Sequence, residues 1–379
     1  MIKEILTRSI GFAALGLIFS FSIMDRIAGN SLASSNGNQE KTAEQVYKNI
    51  KSFKGLAASQ LDGVMNYMSA SLGVGCSYCH TDSWESDDRA AKHNARRMIE
   101  MTRVINKTNY GVEWGVISCY TCHAGRPFPE ATPGVRQNLW QPPDKPDPKA
   151  LAALPTIDEV IEKNILALGG QEALDNLKTR ISKGTLTTEN GIAPAVTAPL
   201  EIYQKAPNKM LFTVAYPGGA YSEGFDGSAP WITDNRKKEG ISGTEPEERT
   251  LGSEPTLADF FAYIKLRETY PTMRLLDKEQ VGDREAFLIG ATSKSGSRDK
   301  IYIDIQTGLL IRKHTLFKTT LGMIPEVVDF EDYREVGGVR LPFKIIWSRP
   351  PFTWTRSFTE IKLNSPIDDA KFNRSAPKR

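Results

Sequence analysis

Residues 76–80 read Cys-Ser-Tyr-Cys-His and residues 119–123 read Cys-Tyr-Thr-Cys-His, and together they hold all four cysteines of a 379-residue chain. Two cysteines three apart on one helical turn point the same way, and a histidine follows at once in both places. Disulfides would scatter the cysteines along the chain. A redox dithiol usually occurs once and requires no histidine. Two Cys-x-x-Cys pairs suit a tetrahedral zinc site, but zinc leaves both histidines unexplained. Covalent haem attachment accounts for every part of the pattern. The two thiols add to the two vinyl groups of one haem, and the adjacent histidine ligates the iron through an imidazole nitrogen. Cys76, Cys79, Cys119 and Cys122 are therefore the expected anchors of two haem c groups, with His80 and His123 as proximal ligands.

The amino terminus fits that chemistry. Lys3 and Arg8 precede the apolar run 10–24, and a polar stretch ending in Ser31-Leu32-Ala33 follows. A basic start, a short apolar core and a small-x-small site read as a secretory signal peptide over residues 1–33. The run is short for a bilayer span, which needs about 20 apolar residues; an uncleaved anchor is the alternative. The chain is thus expected in the periplasm or otherwise exported, with membrane association as the variant of that reading. A net charge of +3 over 379 residues argues against a nucleic-acid partner.

The sixth iron ligand separates electron transfer from small-molecule chemistry, because methionine or histidine on the far side closes the site. Before the first motif, Leu61, Val64, Met65, Met68 and Leu72 recur at helical spacing. Ser59 and Asp62 resemble a capping box there, and Gly73 fits the helix stop. Before the second, Ala91, Ala95, Met98, Met101 and Ile105 share a helical face, with Asp87 and Asp88 at the positive helix start. A helix bearing Met-x-x-Met, a loop and Cys-x-x-Cys-His therefore occur twice, as an internal repeat. Spacing alone leaves open which of Met65 and Met68, or of Met98, Met101 and His93, reaches iron; the others pack against the porphyrins. Tyr78, Trp84 and Tyr120 are further candidates for packing on the rings. His314 lies in a strand-like stretch and reads as a surface residue.

From about Val46 to Pro127 the chain resembles the multihaem cytochrome subunit of purple-bacterial photosynthetic reaction centres. The stretches that carry the likeness are VYKNIK, VMNYMSASLGVGCSYCH, ARRMIEMTRVIN and CYTCHAGRPFP. In that family a helix before each haem segment donates an axial methionine, so the resemblance implies Met65 and Met98 as the distal ligands. That subunit binds four haems, whereas this chain carries motifs for two.

Between Pro127 and Pro155 stand eight of the 22 prolines. Proline removes donors and fixes φ, so residues 131–155 read as an extended linker or strap between a haem domain at 40–130 and a second domain at 156–379. The second domain begins with a helix broken at Gly169-Gly170 and continues in β-rich runs separated by turn residues. Asp304-Ile-Gln-Thr-Gly308 and Val336-Gly-Gly-Val339 are hairpin signals. One further helix, over 256–266, interrupts the series. The expected fold class is multidomain α+β. A mostly α-helical dihaem cytochrome c domain precedes a curved antiparallel β-sheet domain with a few helices.

Residues from about 156 to 375 resemble periplasmic lipoprotein-carrier and lipoprotein-sorting domains, through EIYQKAPNKMLFTV, GGAYSEGFDGSAPWI and YREVGGVRLPFKI. The resemblance implies a cavity able to hold lipid; a sheet that only docks a partner is the alternative. The sequence thus points to an electron-transfer dihaem cytochrome c, a carrier more than a catalyst. Its partners would be a redox protein donor and acceptor, a membrane-bound complex among them. Two rivals stand beside it. One is a haem enzyme acting on a small molecule, which needs an iron without a strong sixth ligand. The other is a lipid or lipoprotein-binding module with the haems as redox sensor.

Overall fold

The computed structural model describes residues 41–108, 117–129, 154–190, 194–235, 263–294 and 296–373. The expected signal peptide, most of the proline-rich stretch and residues 256–262 of the interrupting helix lie outside them. The architecture is helical in its first part and dominated by one large antiparallel sheet in its second, as the sequence leads one to expect.

The helical part holds α1 (Ala43–Val46), α2 (Leu61–Leu72), α3 (Ala90–Lys107) and α4 (Cys119–His123). Helix α2 stops at Gly73, whose φ of +64° is the left-handed C-cap that a glycine adopts at no steric cost. Its start differs from expectation. A 3₁₀ turn over Ala58–Gln60 leads into the helix, the N-cap is Gln60 in helical conformation, and no side chain caps it. Ser59 therefore lies inside the lead-in turn and not at the capping position. Helix α3 also departs from the sequence pattern. Its buried residues are Ile99 and Thr102, while Met98 and Met101 stay 39% and 44% exposed.

The second part opens with α5 (Ile157–Leu168), capped by a reciprocal pair between Thr156 and Glu159. Gly169-Gly170 ends it, and α6 (Gln171–Asp175) follows. Twelve strands then build one sheet: β1 (Thr179–Glu189), β2 (Val196–Lys205), β3 (Lys209–Tyr216), β4 (Gly219–Phe225), β5 (Pro230–Asp234), β6 (Thr272–Val281), β7 (Arg284–Thr292), β8 (Arg298–Asp304), β9 (Leu310–Lys318), β10 (Met323–Val336), β11 (Val339–Arg349) and β12 (Phe352–Leu363). A short helix α7 (Leu266–Thr269) precedes β6. The order is β5-β4-β3-β2-β1-β12-β11-β10-β9-β8-β7-β6. Within β1–β5 and within β6–β12 every pair of neighbours is consecutive in the chain, and β12 returns to pair antiparallel with β1 from Arg180↔Leu363 to Glu189↔Thr353.

Side-chain alternation fixes which face of the sheet is buried. In β11, residues 339, 341, 343, 345, 347 and 349 are all buried and the intervening ones are not. Helix α5 packs Val160, Ile161 and Leu168 into this face, and Asn164 Nδ2 donates to the Gly308 carbonyl at 2.8 Å. A cavity of about 20 Å³ lined by Leu168, Arg180, Tyr263, Phe330 and Ile345 lies under the helix. That is room for about one water.

The two parts share a second, smaller core. Phe53, Leu61, Val64, Tyr67 and Ile99 of the helical part bury with Leu321 and Ile324 of the β9–β10 hairpin.

Candidate haem-binding site

The first motif forms a 3₁₀ turn, Cys76–Tyr78, with His80 N donating to the Cys76 carbonyl at 2.9 Å. Cysteine and histidine thus stand on a single turn, linked to α2 only by residues 73–75. The second motif is the whole of α4, with Ser118 at its N-cap. Past it, Ala124 and Gly125 take φ of +48° and +82°, and this sharp left-handed turn brings the Arg126 carbonyl back to the histidine.

Both histidines are oriented in the same way. His80 Nδ1 lies 3.1 Å from the Trp84 carbonyl, and His123 Nδ1 lies 3.0 Å from the Arg126 carbonyl. A carbonyl only accepts, so Nδ1 carries the proton and the Nε2 lone pair is left for a metal. Around His80 the setting reinforces the neutral ring. Burial pushes its pKa down, the hydrogen bond to Trp84 opposes this, and the nearby Lys92 and Arg96 charges lower it further. The Trp84 ring stands 4.8 Å from the imidazole, tilted by 45°. Burial likewise pushes the Cys76, Cys79 and Cys119 thiols up.

The four cysteines are free. Among the described residues no three His, Cys, Asp or Glu side chains gather as a metal-holding group. What surrounds them instead is apolar surface. Of the large hydrophobic residues exposed among the described ones, Tyr78, Met98, Met101, Val104, Tyr120 and Phe128 all stand in or beside the motifs and α3. Exposed apolar side chains gathered in these few segments suit a surface that an apolar group covers. A flat macrocycle of haem size suits it, and the turn geometry and imidazole orientation suit its attachment and ligation.

Helix α2 carries Met65 and Met68 half-buried against the shared core. It also packs directly on α4: Gly125 N donates to the Ser71 carbonyl at 2.9 Å, and a Cβ at Gly73 would stand 2.1 Å from the Gly125 oxygen. The two halves of the repeat therefore form one unit, with the methionine helix of the first lying against the motif of the second. His93, the alternative ligand on α3, is exposed, with Nε2 3.0 Å from the Asp87 carbonyl. His314 sits in β9, half-buried and outside the helical part.

Sequence reasoning assigned Asp87 only a helix-start role. The structure makes it the knot of the unit. Its carboxylate accepts from Lys51 Nζ at 2.6 Å and Asn49 Nδ2 at 2.9 Å and pairs with the Arg96 guanidinium at 2.8 Å, and these groups, Lys51 first, hold its pKa far below the usual carboxylate range. The carbonyls of Trp84 and Arg126 were also missed. Being main-chain groups, they leave no mark in residue identity beyond a turn three to four residues past each histidine.

Residues 21–151 match the family model described as "Photosynthetic reaction centre cytochrome C subunit". Similar relatives include the photosynthetic reaction center cytochrome c subunits of Rubrivivax gelatinosus, 35% identical over 24% of this chain and 26% of that protein, and of Thermochromatium tepidum, 33% identical over 33% of each. Cytochrome c-554 of Chloroflexus aurantiacus is 32% identical over 21% of this chain and 20% of its own. The chain thus spans about a quarter to a third of the length of the first two. Among solved structures, a LolA superfamily protein from Nitrosomonas europaea superposes with a TM-score of 0.40 at 14% identity, over 58% of this chain and 99% of its own. A DUF1329 family protein from Desulfovibrio piger gives 0.41 at 14% identity, over 58% and 98%. At that identity the likeness is one of fold alone.

Proposed function

We propose that the chain is an exported electron-transfer cytochrome c that carries two covalently attached haems. The observation that carries this reading is the doubled Cys-x-x-Cys-His turn in which each histidine is held by Nδ1 on a main-chain carbonyl. The match of residues 21–151 to a cytochrome family supports it.

When bound, haem supplies one-electron chemistry between ferric and ferrous iron. The chain does the rest. Cys76 and Cys79 would tether one group and Cys119 and Cys122 the other, each through a thioether made by addition of the thiol S–H across a vinyl double bond, with no leaving group. His80 and His123, held through Nδ1, would offer Nε2 to the iron. Met65 and Met98 would supply the further iron ligands, an assignment that rests on the family pattern and on their places on α2 and α3. His/Met ligation holds the potential above that of bis-histidine ligation, and closed irons suit a carrier more than a haem enzyme. The donor and acceptor are redox proteins of the exported compartment, a membrane-bound complex included. Among the described residues no helix is long and apolar enough to cross a membrane.

The test is a redox titration of the purified protein with spectra that resolve both irons. Two one-electron steps, and scarcely any carbon monoxide binding after reduction, are expected. Met65→Ala and Met98→Ala should each open one iron to carbon monoxide and lower one potential. If neither substitution alters the spectrum, the ligand assignment is wrong; a denatured chain without covalent haem removes the whole reading.

A further inference from the structure

The β9–β10 hairpin belongs to the sheet by sequence and pairing, with Met323↔Lys318 the last pair before the turn. Its tip does not cover the sheet. Leu321 and Ile324, 6% and 2% exposed, are buried in the core of the helical part with Val64 and Tyr67 of α2 and Ile99 of α3. Val64 and Ile99 are the direct chain neighbours of Met65 and Met98. Between the two apolar residues, Gly322 runs so close to Tyr67 that a Cβ there would stand 2.4 Å from the tyrosine oxygen.

The tip is also built to keep its shape. Thr319 N donates to the Gly322 carbonyl at 2.7 Å, and Thr319 Oγ1 accepts from Leu321 N at 3.2 Å and Gly322 N at 3.1 Å. A turn closed on itself in this way holds its side chains at fixed positions. Close-packed contacts of this kind transmit displacement because an interior has little free volume to absorb it.

We infer that Leu321, Gly322 and Ile324 are positioning residues for the methionine-bearing helices. The sheet would then set the distal side of the haem unit, α2 most directly. The inference rests on the dihaem reading above. It gives the large second part of the chain a role in the redox site that requires no ligand of its own.

Gly322→Val in the full-length holoprotein is the direct probe, since the added branch must push Tyr67 and α2. Leu321→Ala, which loosens the same contact, is the milder second variant. Met323→Ala, on the 48% exposed side chain of the hairpin, is the control. For both probes we expect two covalent haems per chain, as in the parent, because the anchoring turns are not touched. We also expect a lower midpoint for the α2-capped haem, a weaker methionine-to-iron charge-transfer band and at least tenfold tighter carbon monoxide binding at that iron. A tenfold loss in the methionine's preference for ferrous iron is a shift of about 59 mV for one electron. The control should leave all three unchanged. Unchanged potential and band in a folded, dihaem Leu321→Ala protein overturns the inference while leaving the dihaem reading intact, and so does a change confined to the α3-capped haem. Parent protein with no covalent haem removes both. If Gly322→Val does not accumulate, the Leu321→Ala readouts decide alone.

Discussion

Asp87 shows how much one carboxylate can organise in the absence of a large core. It gathers Lys51, Arg96 and Asn49 from two segments flanking the first motif, with Lys92 at 3.7 Å. Its folded pKa lies below its unfolded one, so the stabilisation is fully present above the ordinary carboxylate range near pH 4 and is lost as pH falls through the lower folded value. Asp87→Asn should therefore lower the melting temperature at pH 7, and the gap to the parent should shrink steadily on acidification below pH 4. Thermal scans of both proteins across that range check the sign. A gap that widens in acid is incompatible with this carboxylate being the ionised partner. None of this was legible from Asp87 itself, whose place before a helix suggested a dipole contact. Its partners come from residues more than thirty positions upstream and from the second turn of α3, and sequence spacing does not encode such meetings. The cysteines and histidines, by contrast, stand out in the sequence at once, because the covalent attachment proposed for them demands those residue types at that separation.

At the level of elements, the end of α2 carries the most constraint. Gly73 was readable as a helix stop, but its second duty was not: its bare Cα lets the Gly125 carbonyl approach. An alanine there must adopt a left-handed φ of +64°, costing roughly 1–2 kcal/mol, and must also displace the segment after the second motif. Gly73→Ala should thus destabilise the helical unit by more than that conformational cost alone, measured by chemical denaturation followed through the haem absorbance. A loss under about 1 kcal/mol would mean that the α2–α4 seam is not as tight as described. The same limit explains the face of α3. Helical periodicity found the stripe with Met98 and Met101, but periodicity cannot distinguish a stripe that meets protein from one that meets a cofactor. The stripe buried against protein is the neighbouring Ile99–Thr102 edge. In the sheet, a different element shows a buried charge. Asp299 and Lys313 pair at 3.1 Å, 1% and 6% exposed at their side chains, with Tyr270 donating to Asp299 at 2.7 Å. Burial raises the Asp299 pKa, yet the Lys313 charge and these hydrogen bonds prevail and hold it below its ordinary value. Lys313→Met removes the counter-charge and leaves a buried carboxylate, so a loss of about 3–5 kcal/mol is expected. Asp299→Asn added to it should recover part of that loss, and urea unfolding of the three proteins measures both changes.

Over the whole molecule, alternation and turn residues made the sheet legible as a class. Period-two burial is dictated by the pleat, and Gly337-Gly338 and Thr307-Gly308 mark two of its hairpins. What no local signal contained is closure across the chain. The β1–β12 pairing joins segments some 180 residues apart, and the chain then continues past β12 to seal the opposite face of the sheet. There Phe372, fully buried, packs with Leu211, Trp231 and Ile367, and Trp231 Nε1 donates to the Phe372 carbonyl at 2.8 Å. This contact ties the last described turn to the edge strand β5, the outermost of its side of the sheet. A buried phenylalanine cut to alanine loses its transfer energy and leaves a cavity, so Phe372→Ala should cost about 3–5 kcal/mol. Trp231 reports the site, because loosening of the turn lets water reach an indole that is now 8% exposed. The expected result is a lower denaturation midpoint together with a red-shifted Trp231 emission, read against a Trp231→Phe background to isolate that indole. The helical part meets the sheet at the β9–β10 hairpin, on the other side of β12 in the strand order. The same substitution should therefore leave the potentials of the proposed haems where they are. A potential that moves with Phe372→Ala would mean that disturbance passes through the sheet as a whole and not through the hairpin tip.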